Sequence, residues 1–320
     1  MQADDVPLLE VLKLDAFNRD GHFIRERSRF PFLSLAPRLH TLTLNNCVGS
    51  PQTLPCSRLV RLTIGGGQVV PVANAPKLIV ACPLLEFCRL YVTESFLIFP
   101  VGPEVLPPDL APTRCNSIHT LEIDTDGDGR CLNTLFERLT LPSLTKLTLD
   151  AQPEKRRGQL TMPPFHGMLL RSACPLKSLT LRNVPASDTN LLACLELVPA
   201  LEELSVTEWS SMAPLSIMLR YPAALTNDLL RRLSTLQPPK YEEYLCPALR
   251  RVKFDISRFS ADALLDFVYE RMSSNRRLLE VVEVGFALSN PPPSEASLEM
   301  LNEQFEGLQL TTWIENERGD

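Results

Sequence analysis

The chain has 320 residues, of which 44% are hydrophobic and 22% are charged. This composition is typical of a folded globular protein and excludes long disordered regions. The formal net charge is −6, so the chain lacks the basic footprint that nucleic acids and anionic membranes attract.

The compartment can be predicted from the N-terminus, the apolar segments and the cysteines. Residues 1–5 lack the basic and apolar regions of a secretion signal. The most apolar segment, near residues 95–101, is far shorter than the ~20 residues that cross a bilayer. The nine cysteines are odd in number and include no C-x-x-C pair, which favours reduced thiols over disulfides or zinc ligands. These features predict a soluble protein of the cytoplasm or nucleus.

A repeated pattern runs through the whole chain. The spacing L-x-x-L-x-L, with apolar replacements, recurs at a mean period of about 30 residues, which is typical of leucine-rich repeats. The units begin at Leu9, Leu39, Leu59, Leu85, Ile118, Leu144, Leu176, Leu201, Leu249 and Leu279. Because side chains alternate along a strand, the last two leucines of a unit face one side, the core. The pattern predicts an α/β leucine-rich-repeat solenoid, a curved horseshoe with a parallel β-sheet on its concave face and short helices and loops on its convex face.

The segments between the predicted strands differ along the chain. Gly65-Gly66-Gly67 and many prolines predict loops, rather than helices, after the units that begin at Leu59 and Leu85. Farther along, polar residues that can cap a helix precede leucines at helical spacing. Three such helices are predicted to begin near Ser187-Asp188, Asn227-Asp228 and Ala261-Asp262.

The two ends of the array are predicted to differ. Ser294–Gly307 reads as an amphipathic helix with Leu298, Leu301 and Phe305 inward, so residues 294–320 are expected to form a polar-faced cap. The first repeat begins at Leu9, near the start of the chain, so we expect exposed core leucines, an open sheet edge and self-association. No shift in composition divides the chain, and residues 1–320 are predicted to form one domain of about ten irregular repeats.

Two features could carry chemistry, and each has a simpler interpretation. Asp124–Gly129 has the acids and glycine of the first half of an EF-hand loop, but Leu135 stands where a bidentate glutamate is needed, which favours an ordinary acidic turn. His40 and His119 occupy equivalent repeat positions, where other units carry glutamate, which favours an exposed column over catalytic histidines. We therefore expect no enzymatic activity, no cofactor and no metal site.

Strand alternation also predicts a binding surface. Residues that alternate with the core leucines should lie on the concave sheet, which a solenoid offers to a protein partner. The residues predicted to bind the partner are Arg61, Arg89, Tyr91, Lys146, Asp150, Arg182, Glu203, Arg251, Lys253 and Asp255. The alternative is that they are ordinary solvated sheet residues. Trp209, in the longest interval, could anchor a partner or cover the core beneath that insertion.

Several repeats open with cysteine and proline. Cys174-Pro175-Leu176 and Cys246-Pro247-Ala248-Leu249 each begin a unit whose return segment reads as a helix. These units resemble the cysteine-containing leucine-rich repeats of F-box proteins, the substrate receptors of Skp–cullin–F-box ubiquitin ligases. The resemblance implies a domain that captures a target protein for ubiquitin transfer by other subunits.

The F-box itself is a helical module that normally precedes the repeats, and nothing before Leu9 could encode it. We therefore expect the ligase adaptor to bind only if an F-box exists upstream of Met1. Two interpretations stay open at this point: substrate recognition for a ubiquitin ligase, and a freestanding leucine-rich-repeat scaffold or adaptor. In both, the partner is a protein.

Overall fold

The structure of the chain is a computed structural model. It describes residues 8–15, 36–45, 56–66, 69–93, 112–125, 129–151, 162–184, 186–208, 225–234, 244–273, 279–286 and 291–314. Two compact units are present, one of Met1–Thr145 with Asp150–Gly158 and the other of Lys146–Leu149 with Gln159–Asp320. A single domain over residues 1–320 stays a prediction.

In its described residues, the first unit combines parallel strands with two α-helices. Its strands are β1 (Val11–Asp15), β2 (Thr41–Asn45), β3 (Arg61–Gly65), β4 (Val70–Pro71), β5 (Phe87–Thr93), β6 (Thr113–Arg114), β7 (Thr120–Thr125) and β8 (Leu139–Thr140), and its helices are α1 (Ala75–Ala81) and α2 (Gly129–Arg138). Strands β1, β2, β3, β5 and β7 pair in that order, all parallel. Strand β4 adds to β5, and β6 pairs with β8 in a small second sheet.

The second unit alternates strand and helix more regularly. In chain order it contains β9 (Lys146–Ala151, whose last two residues belong to the first unit), α3 (Met162–Ser172), β10 (Ser178–Arg182), α4 (Asp188–Leu195), β11 (Glu203–Thr207), α5 (Asn227–Ser234), β12 (Arg251–Ser257), α6 (Ala261–Ser273), β13 (Val281–Phe286), α7 (Glu295–Gln304) and β14 (Gln309–Ile314). Strands β10 to β14 pair in sequence order, all parallel. Helix α3 packs against α4, α4 against α5, and α5 against α6.

The ten predicted repeats coincide with ten of these strands. Each strand begins two residues after the first apolar residue of its unit, as Thr41 does after Leu39 and Arg251 after Leu249. These first residues are buried in every repeat except the first, where Leu9 is half-buried. The predicted α/β leucine-rich-repeat fold class is therefore confirmed.

One backbone position repeats with the strands. The carbonyl of the residue just before a strand accepts hydrogen bonds from two successive N–H groups of the next repeat. Glu10 O accepts from His40 N and Thr41 N at 3.0 and 3.2 Å, and Glu202 O accepts from Arg250 N and Arg251 N at 2.8 and 3.0 Å. Because a carbonyl oxygen has two lone pairs, this arrangement satisfies it fully and fixes the register of one repeat on the next.

The three predicted helices of the second unit are present with their caps. Ser187 Oγ accepts from Asn190 N at 3.2 Å before α4, and Thr226 Oγ1 accepts from Leu229 N at 3.3 Å before α5. Ser260 Oγ accepts from Ala263 N at 3.3 Å before α6. Each hydroxyl satisfies an N–H group that has no partner within its own helix.

The connection from β3 to β5 departs from the prediction. We expected a loop there, but Ala75–Ala81 forms helix α1, with Pro76 in its first turn and both Leu78 and Ile79 buried. Proline is tolerated in this position because the first N–H groups of a helix have no intrahelical partner. The loop prediction is therefore wrong for this return, whereas residues 94–111, the return after β5, lie outside the described residues.

The C-terminal segment contains the predicted helix and an unpredicted strand. Ser294 Oγ caps α7 by accepting from Ser297 N at 3.2 Å, and Leu301 and Phe305 are buried. Leu298, predicted to face inward, is only half-buried. The chain then forms β14, which pairs with β13 over six residues. A capping role for residues 294–320 stays a prediction.

The cores contain thiols and a buried cation as well as leucines. Cys82, Cys88, Cys115, Cys131, Cys174, Cys194 and Cys246 are buried and form no disulfide. Arg271 on α6 is 3% exposed and donates to the carbonyls of Leu233, Leu245 and Cys246 at 2.9, 2.6 and 3.2 Å. Burial lowers the pKa of Arg271 to about 10. None of the described helices has the length and the apolar character that spanning a bilayer requires.

Candidate functional site

The sheet strands have one apolar side and one polar side. Along β12, for example, Val252 and Phe254 are buried, whereas the alternating Arg251, Lys253 and Asp255 are exposed or half-buried. We call the side chains that alternate with the buried ones the polar sheet face of each unit. All ten residues predicted to bind a partner lie on this face: Arg61, Arg89, Tyr91 and Asp150 in the first unit, and Lys146, Arg182, Glu203, Arg251, Lys253 and Asp255 in the second. That they bind a partner stays a prediction.

In the first unit, the polar sheet face brings arginines together with acids and an aromatic ring. The Arg61 guanidinium carbon lies 4.3 Å from the centre of the Phe87 ring on the neighbouring strand. Arg89 donates from Nε to Asp124 Oδ2 at 3.0 Å and lies 3.8 Å from Glu122 Oε2. Stacking on the ring and pairing with acids hold both guanidinium groups at defined positions on the sheet surface.

The contacts of Asp124 bear on the predicted acidic turn. Its carboxylate, the first acid of the EF-hand-like segment, pairs with Arg89. Within the described residues, no group of three or more histidines, cysteines or acids could hold a metal ion. Residues 126–128, which contain the other two acids, lie outside the described part, so their role stays open.

In the second unit, the charges of the polar sheet face pair across strands. Arg251 lies 3.6 Å from Glu203 and 3.9 Å from Glu280. Lys253 Nζ lies 2.9 Å from Glu283 and 5.7 Å from the centre of a Trp313 ring. Exposed ion pairs contribute at most about 1 kcal/mol each. These contacts orient the side chains but contribute little to the free energy of unfolding.

The predicted histidine column is also visible. His40 and His119 are both exposed, and each lies just before a strand, as do the exposed Glu10 and Glu86. His119 Nδ1 is 3.0 Å from the carbonyl of Ser143, and His40 Nδ1 is 3.0 Å from Thr41 Oγ1. Both exposed rings therefore make polar contacts where a strand begins. Trp209 and His22 lie outside the described residues.

Several residues of the polar sheet face were missed from the sequence. Glu122 and Glu283 stand four residues after the start of their repeats, as Arg89 and Lys253 do. Counting from the first residue of each repeat could therefore have found them. Trp313 was missed for another reason, because its strand has no leucine at the first position of the pattern. The register with β13 places Gly307 at that position.

The chain matches no protein-family model and none of the curated proteins with which it was compared.

Proposed function

We propose that this chain is a protein-interaction module that captures protein partners on the polar sheet face of each unit. The observation that carries the proposal is the character of that face. Cations and aromatic rings lie together there, Arg61 over Phe87 and Lys253 over Trp313. Arg61 is exposed, and the other three side chains are half-buried. Arginine, tyrosine and tryptophan dominate the binding energy of protein interfaces, and Arg61, Tyr91 and Trp313 alternate with the buried side chains of their strands.

The partner is proposed to be a target for ubiquitin transfer, with this chain as the substrate-recognition part of an F-box-type ligase subunit. This part of the proposal rests on the resemblance of the units at Cys174 and Cys246 to cysteine-containing leucine-rich repeats. Both cysteines are buried where their repeats enter a strand, as a structural role within such repeats requires. The proposed compartment is the cytoplasm or nucleus, and no catalytic step is assigned to the chain itself.

Charge reversal on the polar sheet face tests the binding surface. The double variant Arg182→Glu with Arg251→Glu should retain the fold, by circular dichroism, and lose most of the proteins that the wild-type chain captures from cells. The matched control is Lys77→Glu with Arg171→Glu, which reverses two exposed charges on helices α1 and α3. Equal capture by both variants would move the binding surface away from the sheet.

A second experiment separates the ligase role from a freestanding scaffold, the alternative proposal. In cells depleted of the protein, targets that depend on the polar sheet face should accumulate and lose ubiquitin. A scaffold would leave their abundance and ubiquitination unchanged. The ligase adaptor should co-purify only with a form of the protein that carries an F-box.

A further inference from the structure

A gap on the polar sheet face of the second unit is filled from both sides. Gly285 on β13 has no side chain, and a Cβ atom placed there would lie 2.3 Å from Asp255 Oδ1 and 2.7 Å from Trp313 Nε1. Asp255 comes from β12 and Trp313 from β14, the two strands that flank β13. The missing side chain therefore lets a carboxylate and the edge of an indole approach each other over the same strand.

The backbone next to Asp255 is irregular. The pairing of β12 with β13 shifts register between Phe254 and Ser257, and Ile256 has a φ of 60°. A β-branched residue rarely adopts this left-handed conformation, and bulges of this kind re-aim the adjacent side chain. Ser257 is buried and donates from Oγ to the carbonyl of Gly285 at 2.9 Å. This hydrogen bond holds the irregular segment of β12 against β13. Strained backbone held by its surroundings is a feature of binding sites.

The described charges on the neighbouring strands pair with one another rather than with Asp255. On β11 to β13, Glu203 pairs with Arg251 and Glu283 pairs with Lys253. Among the described residues, no lysine or arginine lies at ion-pair distance from the Asp255 carboxylate, which is nevertheless half-buried. Trp313 beside it is also half-buried, and Lys253, which pairs with Glu283, lies 5.7 Å from the centre of its ring. A negative charge next to an aromatic surface is complementary to a cation.

We infer that Asp255 and Trp313 form a subsite that binds an arginine side chain of the protein partner, an inference that rests on the proposed function. Arginine fits better than other side chains because its planar guanidinium can pair with a carboxylate through two N–H groups and stack on an indole at the same time. The partner of this face is then a protein with an exposed arginine at its point of contact, and Asp255 provides the charge that selects it.

The test uses two blocked tripeptides, acetyl-Gly-Arg-Gly-amide and its citrulline analogue, which has nearly the same shape without the charge. Binding is followed by the indole N–H resonance of Trp313 in nuclear magnetic resonance spectra of the full chain. The chain has two tryptophans, so the Trp209→Phe variant identifies the resonance. We expect a saturable shift with the arginine peptide and binding of the citrulline peptide at least about tenfold weaker.

Asp255→Asn should weaken the arginine peptide by about tenfold or more, as expected for loss of a charge-assisted hydrogen bond. Asp266→Asn, on the exposed surface of α6, makes the same chemical change elsewhere and should leave binding within twofold. Equal responses to the two peptides, or an unchanged affinity in Asp255→Asn with its spectrum otherwise intact, would overturn the inference. If the subsite fails while the Arg182→Glu with Arg251→Glu variant still loses partners, only the subsite is wrong. If no partner depends on the face, the proposed function fails.

Discussion

At the scale of single residues, Arg271 joins three segments of the second unit. Its guanidinium donates to carbonyls at the end of α5 and in the segment that leads to β12, and it lies 4.9 Å from the centre of the Tyr244 ring. These partners are 25 to 38 residues away in the chain. No local pattern could have predicted them, because an arginine on a helix reads as a solvated residue until its surroundings are known.

We predict that Arg271→Met lowers the free energy of unfolding by about 3–5 kcal/mol, because three buried carbonyls each lose the donor that Arg271 provides. Arg231→Met is the control, since Arg231 is exposed on α5 and pairs with Asp228, and it should cost less than about 1 kcal/mol. Urea unfolding followed by circular dichroism measures both. Similar small losses in the two variants would contradict a structural role for Arg271.

The buried thiols should be unreactive in the folded protein. Burial raises the pKa of Cys194 and of Cys246 to about 12, and that of Cys88 is raised further. At pH 8 these groups carry almost no thiolate, the form that reacts. Titration of native protein with a thiol reagent should therefore detect few groups, and titration in guanidinium chloride should detect nearly all nine. Rapid reaction of most thiols in the native protein would contradict this account.

The same thiols make stability depend on alkaline pH. The folded state retains protons that the unfolded chain releases above a pKa of about 9, so the free energy of unfolding should be unaffected below that pH. It should fall as the pH rises from about 9 towards 12. In Cys194→Ala this decline should be shallower.

At the scale of elements, the predictable parts are those that neighbouring residues specify. Ten strands follow from L-x-x-L-x-L because alternation fixes which side chains face the core. Strand β14 was missed because Gly307 and Thr312 replace two of the leucines, and its pairing depends on β13 rather than on its own pattern. Helix α1 was missed because prolines and glycines read as loop signals, although a proline in a first turn is compatible with a helix.

Helix caps are local enough to be predicted and tested. Ser187→Ala should lower the free energy of unfolding by about 1 kcal/mol because Asn190 N loses its acceptor before α4. Ser187→Asn, which restores a capping oxygen, should recover most of that loss. Thermal unfolding of the three proteins checks this, and equal stability of wild type and Ser187→Ala would show that the cap contributes nothing.

At the scale of the whole molecule, the first strand is less well covered than the others. Leu8 is 71% exposed and Val11 is 57% exposed, and the inward residues of β1 are half-buried where those of β2 are buried. An apolar surface beside a sheet edge favours association. We predict concentration-dependent self-association in sedimentation velocity, reduced in Leu8→Ser with Val11→Thr. A wild-type chain that is monomeric at all concentrations would contradict this prediction.

The central claim is that partners bind on the polar sheet face, and site-specific photocrosslinking in cells tests it most directly. The photoreactive residue p-benzoylphenylalanine would replace Glu203 or Arg251 on the sheet, and Tyr269 or Met300 on the helices; all four side chains are exposed. We expect the two sheet positions to crosslink to the same protein or proteins and the two helix positions not to do so. Crosslinks to a common protein from the helix positions, with none from the sheet positions, would contradict it.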